Sequence, residues 1–151
     1  AAQILRHKSA SFQEFSQRYA VVSNEFEDIE LRKQGKTNRQ IGDEVIENPE
    51  MQARMDKAII NCKQIYDDLV EQGYAKECAR FILPLSTQTC LYMKNNVRNW
   101  LMYLNVRLHQ HCQKEHRLIA EAVRDIVIEH FPITSKAFNN FENAYDEHFV
   151  K

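Results

Sequence analysis

Punctuation is scarce in this chain: 151 residues contain three glycines and three prolines. With so few turn-forming residues, and with apolar residues recurring three and four apart, helix is expected to dominate. No CxxC pair occurs among Cys62, Cys78, Cys90 and Cys112. Their wide, irregular spacing suggests neither a zinc ribbon nor a disulfide framework, so reduced, mostly buried thiols are expected. No sign of charge prevails: 20 basic against 21 acidic residues leave a net −1. A general nucleic-acid binder needs a dominant basic field, so no nucleic-acid partner is expected, although a local phosphate pocket stays open. No apolar run approaches bilayer length, and the first residues lack the zones of a signal peptide, so no membrane partner and a cytoplasmic location are expected. Internal repeats and low-complexity tracts are absent too. A hydrophobic share of 44% is present, enough to fill a core, and residues 1–151 read as one domain.

The clearest helix starts at Asn48-Pro49 and ends at Gly73, with Met51, Met55, Ala58, Ile59, Cys62, Ile65, Tyr66 and Leu69 as its expected buried stripe. A helical turn over Ala75 to Ile82 carries Arg80 and closes at Pro84. Leu85 to Met93 reads as a strand. Helix returns from Asn96 to about His111 and again to Phe131, with Ile119, Ala122, Val123, Ile126 and Val127 as the apolar face and Pro132 as the stop. Thr134 is placed to cap a last helix bearing Phe138, Phe141 and Tyr145. The charged region from Glu25 to Glu47 has weak periodicity and reads as a long exposed loop or insertion.

Packing explains the first nineteen residues poorly. Gln3, Arg6, His7, Lys8, Ser11, Glu14, Ser16, Arg18 and Tyr19 crowd cations, hydroxyls and a carboxylate into a stretch with hardly any apolar period. Arginine forks and serine hydroxyls suit an anionic ligand, phosphate above all; a solvated loop is the plain alternative. Further on, Asn96, Tyr103 and Arg107 fall within roughly 20° of a common line at about 100° per residue, while Val97, Leu101, Leu104 and Leu108 take another face. One face is expected to pack and the other to bind. His109, His111, Cys112 and His116 include pairs at helical i,i+4 spacing but point around more than one face, so surface and interface histidines are expected there, and no metal.

The pattern from Gln3 to Tyr19 resembles the signature of the flavin-dependent thymidylate synthases, Q-x-x-R-H-R-x-x-S-x-N-E-x-S-x-R-Y, with Lys8 for an arginine and Gln13 for an asparagine. Ala75 to Pro84 is similar to the family's R-E-x-A-R-x-x-L-P block. Asn96, Arg98 and Arg107 are similar to its N-x-R-x8-R helix, and Gln113-Lys-Glu115 echoes A-Q-x-E. The resemblance runs from about Gln3 to Phe138.

It implies an α+β fold, mainly helical in this chain with a small sheet, and reductive methylation of dUMP to dTMP with FAD, NADPH and methylenetetrahydrofolate. No cysteine nucleophile is implied. Gln3, Arg6, Glu14, Phe15, Ser16, Gln17, Arg18, Arg80 and Arg107 are implied for dUMP, with Ser16 and Arg18 at its phosphate. Arg6, His7, Lys8, Glu14, Asn96 and Arg98 are implied for FAD. Arg107 is the implied catalytic cation, set against the uracil N3 and its neighbouring carbonyl. Active sites shared within a homotetramer are implied as well.

The chain departs from the family pattern in three ways. Lys8 lacks the planar fork of arginine. Met102 stands where a polar flavin contact is frequent. The upstream family segment is missing, so the chain is expected to be N-terminally truncated: a fragment, one completed by another chain, or a scaffold that has lost the complete reaction. Two other readings stay open: a phage-type pyrimidine-nucleotide hydroxymethyltransferase on the same scaffold, which would place the chain in a host cytoplasm, and a catalytically incomplete flavin- and nucleotide-binding fragment.

Overall fold

The computed structural model describes residues 1–22, 26–36 and 41–134. Within these the chain forms β1 (Ser11–Glu14), β2 (Arg32–Gln34), β3 (Gly42–Val45), α1 (Pro49–Glu71), α2 (Lys76–Ala79), β4 (Leu91–Lys94), α3 (Val97–Arg107) and α4 (Lys114–His130). Single 3-10 turns cover Ile4–Arg6 and Arg80–Ile82. The architecture is mainly helical with two small sheets, β1 with β4 and β2 with β3. The described residues fall into two compact units. One holds 1–12, 35–36, 41 and 93–134; the other holds 13–22, 26–34 and 42–92.

The second unit is organised by α1. Asn48 caps it, its Oδ1 accepting from the Met51 N–H at 3.0 Å, and Pro49 follows in the first turn, where no amide partner is needed. Its far end closes through Gly73, whose φ of +84° carries the chain out of the helix. The Gly73 N–H bonds Val70 O at 3.1 Å and the Tyr74 N–H bonds Leu69 O at 2.9 Å, the paired closure that a left-handed glycine permits. Tyr66 is fully buried among Val22, Ala79, Leu69, Val70 and Leu83, and its hydroxyl accepts from the Val22 N–H at 3.2 Å.

The expected stripe on α1 is therefore too generous. Of its eight residues only Tyr66 is buried, and Met51 and Ile65 are exposed. Lys63 joins Tyr66 inside instead, its ammonium ion-paired to Asp67 one turn on and 5.4 Å from the Tyr66 ring centroid. A lysine stem covers apolar surface while its head finds a partner, which a hydrophobic pattern does not register.

The segment read as an exposed loop contains the β2–β3 hairpin, antiparallel with Arg32 opposite Val45 and Gln34 opposite Gly42, and an irregularity between the two pairs. Its strands, R-K-Q and G-D-E-V, show little alternation; backbone pairing joins them, with an exposed ion pair between Lys33 and Glu44 at 3.7 Å. A Cβ on Gly42 would stand 2.5 Å from the Arg32 Cβ, so close pairing requires glycine there. The strand expected over Leu85 to Met93 is confined to its end: Leu85 is fully exposed, Thr87 makes an isolated bridge with Phe26, and β4 begins at Leu91. The thiols differ from expectation also. Cys78 and Cys90 are exposed, Cys62 is half-buried and Cys112 alone is buried, all four free.

In the first unit α3 packs on α4. Tyr103, Leu104, Ala120 and Val127 form the core, flanked by Met93, Trp100, Leu101, Leu108 and Val123. The break expected between the two helices lies at Leu108 to Gln113. On α4 the buried line is His116, Ala120, Val123 and Val127, whereas Ile119 and Ile126 face outward. The predicted helix with Phe138, Phe141 and Tyr145 lies outside the described residues. No described helix is long and apolar enough to cross a membrane.

Candidate functional site

Short backbone bonds fold the first ten residues on themselves: His7 N–H to Ile4 O at 3.1 Å, Lys8 N–H to Arg6 O at 3.0 Å and Ala10 N–H to His7 O at 3.0 Å. The Asn99 carboxamide nitrogen donates to Ser9 O at 3.1 Å and fastens this coil to α3. Gln3 and His7 are thereby carried to the last turn of α3, where Arg107 lies half-buried. The Arg107 Nε–H donates to His7 Nε2 at 2.8 Å, and its Nη2 reaches Gln3 O at 3.5 Å.

This acceptor role decides the state of His7. With Nε2 taking a proton from a permanent cation, the ring is neutral and its hydrogen sits on Nδ1. Burial and the adjacent guanidinium both hold its pKa below the ordinary histidine value. The His7 ring meets Tyr103 edge-on, with centroids 4.9 Å apart.

A second network runs beside the first. Tyr103 Oη lies 3.1 Å from His116 Nε2, and His116 Nδ1 lies 3.2 Å from Gln3 Oε1. Gln3 Nε2 donates to Gln113 Oε1 at 2.6 Å, and Gln113 Nε2 donates to Glu115 Oε2 at 2.8 Å. Burial, aided by the charges of Arg107 and the chain terminus, pulls the His116 pKa down to about 4. Burial pushes Tyr103 up to about 12, against the opposing pull of Arg107. Both groups are therefore uncharged at neutral pH.

The residues implied for ligands separate by unit. Gln3, His7 and Arg107 join in the networks above, while Arg6, Lys8 and Arg98 are exposed beside them in the first unit. Asn96 spends its carboxamide oxygen on the Asn99 N–H at 2.9 Å as the cap of α3, leaving its amino group. Met102 is exposed. In the second unit, Glu14 accepts from Thr89 Oγ1 at 3.3 Å, and Arg18 pairs with Glu77 at 3.2 Å with both side chains more than half in solvent. Ser16 O accepts from the Tyr19 and Ala20 amides at 3.1 and 3.3 Å, making a tight turn that leaves Phe15 exposed and Gln17 half-buried. Arg80 lies over the Phe81 ring at 5.8 Å from its centroid.

Two residues differ from the sequence-based expectation. Tyr103, read on the ligand-facing line of α3, is buried in the core. His116, read with the surface histidines, is 5% exposed and hydrogen-bonded at both nitrogens. The signal for His116 was its place at i, i+4, i+7 and i+11 with Ala120, Val123 and Val127, a line otherwise apolar. His109 and His111 stack on each other at 4.8 Å, and among the described residues no three His, Cys, Asp or Glu side chains are grouped to hold a metal ion.

Arg6, Lys8 and Arg98 are thus exposed cations on one unit, a side-chain type that suits an anionic group.

Comparison with known proteins gives consistent matches. The chain is 47% identical over 140 residues to a flavin-dependent thymidylate synthase of Synechocystis sp., covering 91% of this chain and 65% of that protein. It is 40% identical over 142 residues to a probable flavin-dependent thymidylate synthase of Paramecium bursaria Chlorella virus 1, covering 92% and 66%. A crystal structure of the UMP/dUMP methylase PolB from Streptomyces cacaoi, bound with 5-Br UMP, superposes with a TM-score of 0.79 at 28% identity, over 93% of this chain and 68% of that one. The chain thus spans about two-thirds of the length of these relatives. The model of the thymidylate synthase complementing protein family matches residues 1–133, and the chain belongs to that family.

Proposed function

We propose that this chain is the larger part of a cytoplasmic, FAD-dependent thymidylate synthase, acting as one domain and converting dUMP to dTMP with methylenetetrahydrofolate as carbon donor and NADPH as reductant. The observation that carries the reading is Arg107: half-buried, oriented by His7 at its Nε, with further N–H donors left to a ligand. Set against the uracil N3 and its neighbouring carbonyl, a guanidinium in a partly dehydrated site stabilises the negative charge that builds as the ring is activated.

Gln3, Arg6, Glu14, Phe15, Ser16, Gln17, Arg18 and Arg80 complete the dUMP site in this proposal, with Ser16 and Arg18 at the phosphate. Arg18 is held only by an exposed ion pair, which costs little to exchange for a phosphate. Arg6, His7, Lys8, Glu14, Asn96 and Arg98 hold FAD, which when bound supplies the reducing hydride. A homotetramer with shared sites is part of the same reading, supported by the exposed Leu118, Ile119 and Ile126 on α4.

The test is incubation of the protein with dUMP, methylenetetrahydrofolate, FAD and NADPH, read by product mass. A methyl product supports the proposal, and a hydroxymethyl product replaces it with the hydroxymethyltransferase reading. Retained flavin absorption without product points to the incomplete binding fragment. Arg107→Ala is expected to cut turnover by roughly 10²-fold or more with helicity unchanged by circular dichroism; near-normal turnover removes the catalytic assignment.

A further inference from the structure

The sense of every hydrogen bond between Tyr103 and Glu115 follows from one group. A carboxylate only accepts, so Glu115 obliges Gln113 to turn its amino group toward it, and the Gln113 oxygen then faces Gln3. Gln3 must answer with its own amino group, which leaves its carboxamide oxygen toward His116. His116 donates to that oxygen from Nδ1, and its Nε2 is left to accept the Tyr103 hydroxyl proton. Five side chains thus settle into one arrangement, and the ring in its middle is 5% exposed.

We infer that His116 is a positioning residue for the nucleotide: held between Tyr103 and Gln3, it fixes which edge of the Gln3 carboxamide faces the ligand and keeps the Gln3–His7 coil seated on Arg107. The inference rests on the reading that Gln3 and Arg107 hold dUMP. After its bonds to His116 and Gln113, the Gln3 carboxamide has one N–H and one lone pair remaining. A free glutamine rotates about its last torsion and interchanges the two, whereas the pair of anchors leaves a single presentation. An aliphatic residue at 116 would fill the core as well but anchor nothing.

Three substitutions separate orientation from packing. His116→Asn keeps a donor near the place of Nδ1, His116→Gln keeps an acceptor near the place of Nε2, and His116→Leu keeps neither. Affinity for dUMP is measured by calorimetry on each full chain, with a thermal melt to verify folding. His116→Leu and His116→Gln are expected to weaken binding roughly tenfold, about the worth of one lost hydrogen bond, and His116→Asn to recover most of that loss. Long-range nitrogen–proton correlation spectra of the unsubstituted protein at neutral pH are expected to show the His116 proton on Nδ1. Equal affinities across the three variants, or a proton on Nε2, overturn the inference. If the unsubstituted protein binds no dUMP, the nucleotide reading itself fails and takes this role with it; binding that is indifferent to residue 116 removes the role alone.

Discussion

His116 occupies a helical position where an aliphatic side chain would complete a continuous buried line with Ala120, Val123 and Val127. Keeping an imidazole there ties folding to its uncharged form. Its pKa falls from the ordinary 6.5 to about 4 in the folded chain, so between those values the unfolded chain binds more protons and the folded state loses ground as pH drops. The loss begins near pH 6.5, grows toward pH 4 and levels off below, reaching roughly 3 kcal/mol at the limit. Urea titrations from pH 7 to pH 4 are expected to show this slope, and His116→Leu to flatten it; an unchanged slope in the variant assigns the pH dependence elsewhere. At the same scale, legibility depended on chemistry. Arg107 was singled out from the sequence by the matched motifs around it, and its half-buried bonds to His7 and Gln3 appear only in the structure. Tyr103 and His116 misled because an amphipathic ring is equally at home in a core or at a ligand, and only the partner of its polar atom decides.

At the scale of elements, termini carried the clearest information. Asn48, Pro49 and Gly73 each satisfy or excuse a backbone group at the ends of α1, so the sequence marks both limits of that helix. Asn48→Ala is expected to cost about 1 kcal/mol in chemical denaturation, with Asn48→Asp largely sparing it. The hairpin of β2 and β3 left no comparable trace, because its strands are short and polar, with no alternating apolar pattern to mark their backbone pairing. Its one sequence mark is Gly42, whose meaning appears only once the Arg32 Cβ is found against it. Gly42→Ala is expected to lower the melting temperature, since the new methyl and the Arg32 Cβ cannot both keep their places. An unaltered melt would mean that the strands part without penalty. The β4 strand was overextended from sequence because Thr, Tyr and Cys favour extended backbone whether or not a neighbour pairs with it.

At the scale of the molecule, two small cores among the described residues each hold a few buried side chains, and much apolar surface stays outside them. Leu118, Ile119, Ala122 and Ile126 lie within an arc of about 100° on α4, all exposed. The sequence identified this helix as amphipathic but grouped Ile119 and Ile126 with Val123 and Val127 on one apolar face, since a periodic pattern cannot tell a core from an interface between copies. If the proposed tetramer uses this face, the protein sediments at four times its 17.9 kDa chain mass, and Ile119→Asp with Ile126→Asp shifts it toward the mass of a single chain. Unaltered sedimentation of that double variant would place the subunit contacts on another face.

The row from Tyr103 to Glu115 behaves as a line of dipoles clamped at one end. Exchange the terminal carboxylate for a neutral amide, and the clamp is gone: the opposite polarity becomes equally admissible, and two carboxamides and an imidazole that now share one setting would toggle between two. An acidic side chain at the solvent edge thereby governs the tautomer of a ring buried three bonds inward.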